Sequence, residues 1–265
     1  MKLWYSLLLF AVGLSAGEKE TVAFFTKQGA RLKLDADGHV ERLTIYGKLD
    51  VTVAQFQDIG SIQSLQQLAV NVPPAGDGEW NFLRKLPHLK TLTIWHGHQF
   101  SSLSDFSDLP LESLTLGGCM GLRNLNKDNV ARQRDAVLSL KGLPHLKKLS
   151  LYHSPLTPDD IHLAHIVKEF PKLEDLRVDF AAPRGTEMSI TPAGLKKLHA
   201  LPLTVLTIEN AQTFTADHMT AIATIPSLKQ LNIDAQKKPF PNALAAAARN
   251  TRAGLKVEVK LPRKK

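Results

Sequence analysis

One phrase recurs along this chain: an apolar residue, two variable ones, a leucine, one variable residue, then an aliphatic one. It reads Val40-x-x-Leu43-x-Ile45, Leu65-x-x-Leu68-x-Val70, Leu89-x-x-Leu92-x-Ile94 and Leu111-x-x-Leu114-x-Leu116. Further on come Leu146-x-x-Leu149-x-Leu151, Leu173-x-x-Leu176-x-Val178, Leu203-x-x-Leu206-x-Ile208 and Leu228-x-x-Leu231-x-Ile233. Successive copies start 22 to 35 residues apart, most of them near 25. Apolar positions two apart point to one side of an extended strand, so each copy predicts a short strand with two inward residues. Strands running the same way need a returning crossover of about a dozen residues or more. A period of this size predicts a stack of like units, each burying its apolar edge against the next.

The segments between copies carry crossover signals. Thr157-Pro158-Asp159-Asp160-Ile161 sets a cap, a first-turn proline and two carboxylates before an apolar helical pattern. Thr191-Pro192-Ala193-Gly194-Leu195 repeats the arrangement, and Thr215-Ala216-Asp217-His218-Met219 opens a third helix. A helix through 129–140 is expected inside the longer insert of 120–142. Pro87, Pro110, Pro144, Pro171, Pro202 and Pro226 each precede the next copy, where proline ends a helix and sets the return into the strand. Upstream, Asp37-Gly38 before Val40 predicts a hairpin whose first strand, near Ala30–Asp35, covers the N-terminal edge. Downstream, Ala-rich Asn242–Arg249 predicts a closing helix, and Leu255-x-Val257-x-Val259 a final strand.

The runs Leu-Pro-His-Leu-Lys-Thr-Leu-Thr-Ile at 86–94 and Leu-Pro-His-Leu-Lys-Lys-Leu-Ser-Leu at 143–151 resemble leucine-rich repeats. The likeness is to the bacterial, irregular, ribonuclease-inhibitor-like kind with helices on the outer face, and it covers roughly 40–261. It implies an α/β fold: a curved leucine-rich-repeat solenoid with a concave parallel β-sheet and helices on the convex side. The superfamily is mainly a binding scaffold, so the resemblance implies protein–protein interaction and no cofactor. The position three residues past each strand departs from the family's Asn, Cys or Thr, being Lys48, Pro73, Gly97, Cys119, Ser154, Ala181, Ala211 and Gln236. An irregular turn ladder is therefore expected.

The first residues read as an export signal: Lys2, then apolar Leu3–Leu14, then small Ser15-Ala16-Gly17 before Glu18-Lys19-Glu20. Cleavage is expected after Ala16 or Gly17, with retention as an anchor the alternative. The apolar run falls short of the ~20 residues that span a bilayer, and Gly17 stands where lipidation would need cysteine. The expected division is 1–17 signal peptide, 18–39 N-terminal cap with its hairpin strand, 40–261 repeat array and 262–265 basic tail. Cys119 is the only cysteine, which excludes an intrachain disulfide, and no N-x-[ST] sequon occurs. Export without either suggests a bacterial periplasmic or extracellular protein.

Strand alternation gives the residues of the concave face. One column is Thr44, Ala69, Thr93, Thr115, Ser150, Arg177, Thr207, Asn232 and Glu258. The next is Tyr46, Asn71, Trp95, Gly117, Tyr152, Asp179, Glu209, Asp234 and Lys260. Tyr46, Trp95 and Tyr152 are of the type enriched at binding hot spots, and Asp175, Asp179, Glu209 and Asp234 add an acidic patch toward the C-terminal half, with Arg177 beside it. These residues are the candidate site for a protein partner, although Thr, Tyr and Trp also suit any exposed strand. The net charge of +8 is concentrated near the C-terminus. Arg249, Arg252, Lys256, Lys260 and Arg263 could instead hold an anionic glycan or envelope surface; nucleic acid is not an expected partner of an exported chain. Glu209 and Asp234, on neighbouring strands, could stand at a glycosidase-like separation. No nucleophile elbow, phosphate loop or H-E-x-x-H occurs, so no enzyme is expected. Cys119 is expected to be structural. His96-x-His98 with His153, and Asp159 with His162 and His165, are weighed as metal ligands; solvated surface histidines are the expected reading, and no metal is expected.

Overall fold

The computed structural model describes residues 14–47, 50–96, 100–118, 136–151, 159–180, 190–211, 213–234 and 240–260. Its frame is one ten-stranded sheet whose spatial order follows the chain, with six α-helices among the described residues. The strands are β1 (Arg31–Leu34), β2 (Val40–Ile45), β3 (Gln67–Asn71), β4 (Thr91–Trp95) and β5 (Ser113–Gly117). They continue as β6 (Lys148–Leu151), β7 (Asp175–Asp179), β8 (Val205–Glu209), β9 (Gln230–Asp234) and β10 (Lys256–Lys260). β1 pairs antiparallel with β2, and every later pairing is parallel.

The recurring phrase sets the register. Leu43, Leu68, Leu92, Leu114, Leu149, Leu176, Leu206, Leu231 and Val257 lie opposite one another from β2 to β10. The leucines are at most 1% exposed, and full burial of each stabilises the fold by about 1.5–3 kcal/mol. A one-residue slip would turn the whole row to solvent, so the row pins every strand. Just before the strands, single carbonyls each accept two amides from the next unit. Gln66 O takes Lys90 N and Thr91 N, Lys90 O takes Glu112 N and Ser113 N, and the pattern runs through Glu112, Lys147, Glu174 and Thr204.

Behind the sheet the two halves differ. Behind β3–β5 the crossovers hold one short helix, α2 (Val53–Gln57), and 3-10 turns at Asp58–Ser61, Asn81–Lys85 and Ser104–Phe106. Phe56, Trp80, Phe82, Phe100 and Phe106 fill that space, with ring centroids 5.4–6.2 Å apart. The Trp80 indole N–H is buried there with no hydrogen-bond partner among the described residues. Toward β7–β10 the crossovers are longer: α3 (Asp160–Glu169), α4 (Pro192–Lys196), α5 (Ala216–Ala223) and α6 (Asn242–Thr251). Thr191 and Thr215 cap α4 and α5 as the sequence predicts, but α3 is capped by Asp159, two residues beyond Thr157. The helix expected over 129–140 lies largely outside the described residues, and Val137–Ser139 is a 3-10 turn.

At the N-terminal edge the Asp35 carboxylate accepts the amides of Asp37 and His39, and Gly38 takes φ 85°, closing the hairpin. A helix that the sequence reading did not expect, α1 (Ala16–Lys27), joins this edge, with Leu14, Val22 and Phe25 in the common core. Ser15 caps it by accepting from Glu18 N at 3.3 Å. The expected cleavage points at Ala16 and Gly17 thus fall in its first turn. Among the described residues no helix is long and apolar enough to cross a membrane.

Candidate binding site on the open face of the sheet

The side of the sheet opposite the leucine row carries the predicted columns in register. Thr44, Ala69, Thr93, Thr115, Ser150, Arg177, Thr207, Asn232 and Glu258 are paired strand to strand without a shift. Over β4–β10 this face holds a cavity of 540 Å³ with Trp95, Thr93, Thr115, Ser150, Arg177 and Lys260 among its lining residues.

Tyr46 is 55% exposed just past β2, and the Arg31 guanidinium lies 4.8 Å from its ring centre. Asn71 ties the next two units to it: its amide donates to Tyr46 O at 2.7 Å, and its carbonyl oxygen is 2.8 Å from His96 Nδ1. Trp95 is half-buried and lines the cavity. Tyr152 lies outside the described residues. Val72 and His96, each one residue past a strand, take φ 53° and 49°, and Asn210 takes 52° at the equivalent place after β8. The amides of Val72, His96 and Asn210 still bond to the following strand, so the ladder extends by one residue. For β-branched Val72 that conformation is strained, and it leaves the side chain 37% exposed beside Tyr46 and Trp95.

Two members of the expected acidic patch are buried, while Asp175 and Asp234 line the cavity. Asp179 is 3% exposed and Glu209 0%. Arg177, 28% exposed, donates from Nε and Nη2 to Glu209 Oε1 and from Nη2 to Asp234 Oδ2 at 3.3 Å. Asn210, turned back by its left-handed backbone, donates to Asp179 Oδ1 at 2.8 Å. Alternation places these carboxylates on the open side correctly. What buries them is three-dimensional: a long guanidinium reaching across two strands, and an asparagine just past β8 reaching back to the end of β7. Glu209 and Asp234 are therefore held by one arginine.

The basic end is divided in the same way. Arg249 donates to Val257 O at 3.1 Å, and Arg252 to Ile225 O at 2.5 Å and Pro226 O at 2.9 Å, so both arginines close off carbonyls at the end of the fold. Lys256 pairs with Glu258 at 2.6 Å. Lys260 reaches the cavity, and Arg263 lies outside the described residues. Of the residues weighed for metal, His98 and His153 lie outside the described residues, as does Cys119, expected to be structural. His162 is not a surface residue: it is 3% exposed, with Nδ1 2.6 Å from Asp159 Oδ1 in the cap of α3. His165 Nε2 lies 2.7 Å from Leu140 O of the preceding unit. Among the described residues no three His, Cys, Asp or Glu side chains converge as a metal set.

Thr93, Thr115 and Ser150 stand in the first predicted column. The structure gives their hydroxyls no protein partner among the described residues, while Lys148 beside them pairs with Asp175 at 2.7 Å. Hydroxyl–hydroxyl spacing could be inferred from the columns; the lack of partners could not. A scan against protein-family models finds no match to this chain, and a search of curated proteins finds none either.

Proposed function

We propose that this chain is an exported, non-enzymatic binding protein of the leucine-rich-repeat type, which engages a protein partner on the open face of its sheet. The observation that carries this reading is the rim formed by the ends of β2, β3 and β4. Among the described residues the exposed large apolar side chains are Tyr46, Val72 and Ile161, and the first two stand on this rim beside Trp95. Tyrosine and tryptophan are enriched at hot spots of protein interfaces, and Asn71 ties Tyr46 O to the His96 ring before any partner arrives. The strand order, in which each unit meets only its chain neighbours, supports the repeat architecture. The engagement of Glu209 and Asp234 by Arg177 supports binding over glycoside hydrolysis. Export rests on the charged, apolar and small-residue succession of the first 17 residues.

The test is capture of partners from the envelope and culture fluid of the source cell, using the native chain and a Tyr46→Ala/Trp95→Ala variant with matching circular dichroism. Proteins held by the first bait and lost by the second support the rim as the contact. Identical captures on both, released by moderate salt, would move the site to the basic residues.

A further inference from the structure

Beyond the protein contact at Tyr46 and Val72, we infer that the cavity over β4–β10 is a saccharide-binding site. Its floor is the row Thr93, Thr115 and Ser150, in register on three adjacent strands about 4.8 Å apart. None of these hydroxyls has a protein partner among the described residues. Small exposed hydroxyls alone would mark nothing, but Ser150 is 4% exposed and still lines the cavity. The rest of the residue is packed away, so its hydroxyl opens to the cavity, where a ligand hydroxyl can take the place of water.

Charge narrows the occupant. Around the row the cations Lys148, Arg177 and Lys260 stand against the carboxylates of Asp175, Glu209 and Asp234, so the charges balance. Lys260 lies in register with Asp234 on the neighbouring strand. The cavity therefore complements a neutral ligand. Hydroxyls donate and accept at once, which matches a ligand made of hydroxyls, and Trp95 supplies a flat ring for the apolar face of a sugar. A protein occupant fits less well. Interface cores are depleted in Ser, Asp and Lys, whereas this lining is rich in Ser, Thr, Asn, Asp and Lys, with Trp95 as its one aromatic side chain and Val205 as its one aliphatic side chain. Nor does the face of a sheet offer free backbone groups to a peptide, since these lie in the ladder.

The saccharide could be a free polymer or a glycan carried by the partner. The experiment probes the full chain with a printed array of bacterial and eukaryotic glycans, then by calorimetry with chitohexaose, cellohexaose and hexagalacturonate. Saturable binding is expected, weakened about tenfold or more by Trp95→Ala and severalfold by Thr115→Val or Ser150→Ala. Thermal melts of the variants verify folding, and Tyr46→Ala should bind sugar as the native chain does. Binding of free oligosaccharide identifies a polymer ligand; capture that fails only after enzymatic deglycosylation of a partner identifies a glycoprotein. Absence of saturable binding on the array and in calorimetry, or affinity unchanged in all three cavity variants, overturns the inference. Partner capture that depends on Tyr46 and ignores deglycosylation, together with no saturable oligosaccharide binding, overturns it while leaving the rim contact standing.

Discussion

Replacing Arg177 with methionine should destabilise the fold more than replacing the carboxylate that it holds. Glu209 is fully buried, and its Oε1 accepts from two nitrogens of Arg177. Removing one member of a buried ion pair costs about 3–5 kcal/mol because the other charge stays behind. Arg177 keeps 28% of its side chain exposed, so water can screen part of the loss, and Arg177→Met is expected to cost about 2–3 kcal/mol. For a chain of this size that is a fall in Tm of about 5–10 °C. Glu209→Met is the milder change, about 1 kcal/mol, since the guanidinium left behind still meets Asp234 and solvent. The double variant should be more stable than Arg177→Met alone, because both charges then leave together. Urea unfolding followed by circular dichroism gives all three values. Equal costs for the two single variants, or strictly additive costs in the double, would refute the claim that a buried carboxylate depends on this guanidinium.

Three further changes read other parts of the structure. Gly194→Ala in α4 would ordinarily help a helix, but a Cβ there would overlap the Asp160 carboxylate. Asp160 bonds Thr191 N at 2.9 Å and Oγ1 at 2.6 Å, so a loss of about 1–3 kcal/mol in urea unfolding is expected instead of a gain. Val72→Gly should raise stability by about 0.5–1 kcal/mol, since relief of the left-handed backbone outweighs the added chain entropy at a 37%-exposed site; a lower Tm would refute the strain. A chain starting at Glu18 loses Ser15 and Leu14, and should melt with about 1 kcal/mol less stability than one starting at Leu14. Equal melts would show that the cap of α1 is dispensable.

The strands were legible because one leucine per unit, two residues before an aliphatic, admits a single register. The columns on the open face followed from the same alternation. The fate of single column members did not, because burial of Glu209 depends on Arg177 one strand away and burial of Asp179 on the backbone of Asn210. The aromatic cluster was hidden for another reason: Phe56, Trp80, Phe82, Phe100 and Phe106 sit in irregular crossovers, where no period marks them. Helix α1 was obscured because its start overlaps residues that also suit an export signal. Its inward Val22 and Phe25 are three apart, a spacing too short to stand out beside the preceding apolar run.

The strand order has a mechanical consequence. The chain enters at one edge of the sheet and reaches the other edge at β10, with every intervening pairing between consecutive strands. Tension applied to the two ends pulls across the strands, so it opens hydrogen bonds one rung after another, as a zip does, and not a whole strand at once. Extension should then proceed in steps of one unit. Each detached unit of about 25 residues would release roughly 80–90 Å of chain at low force, and the longer insert between β5 and β6 would register as one outsized step.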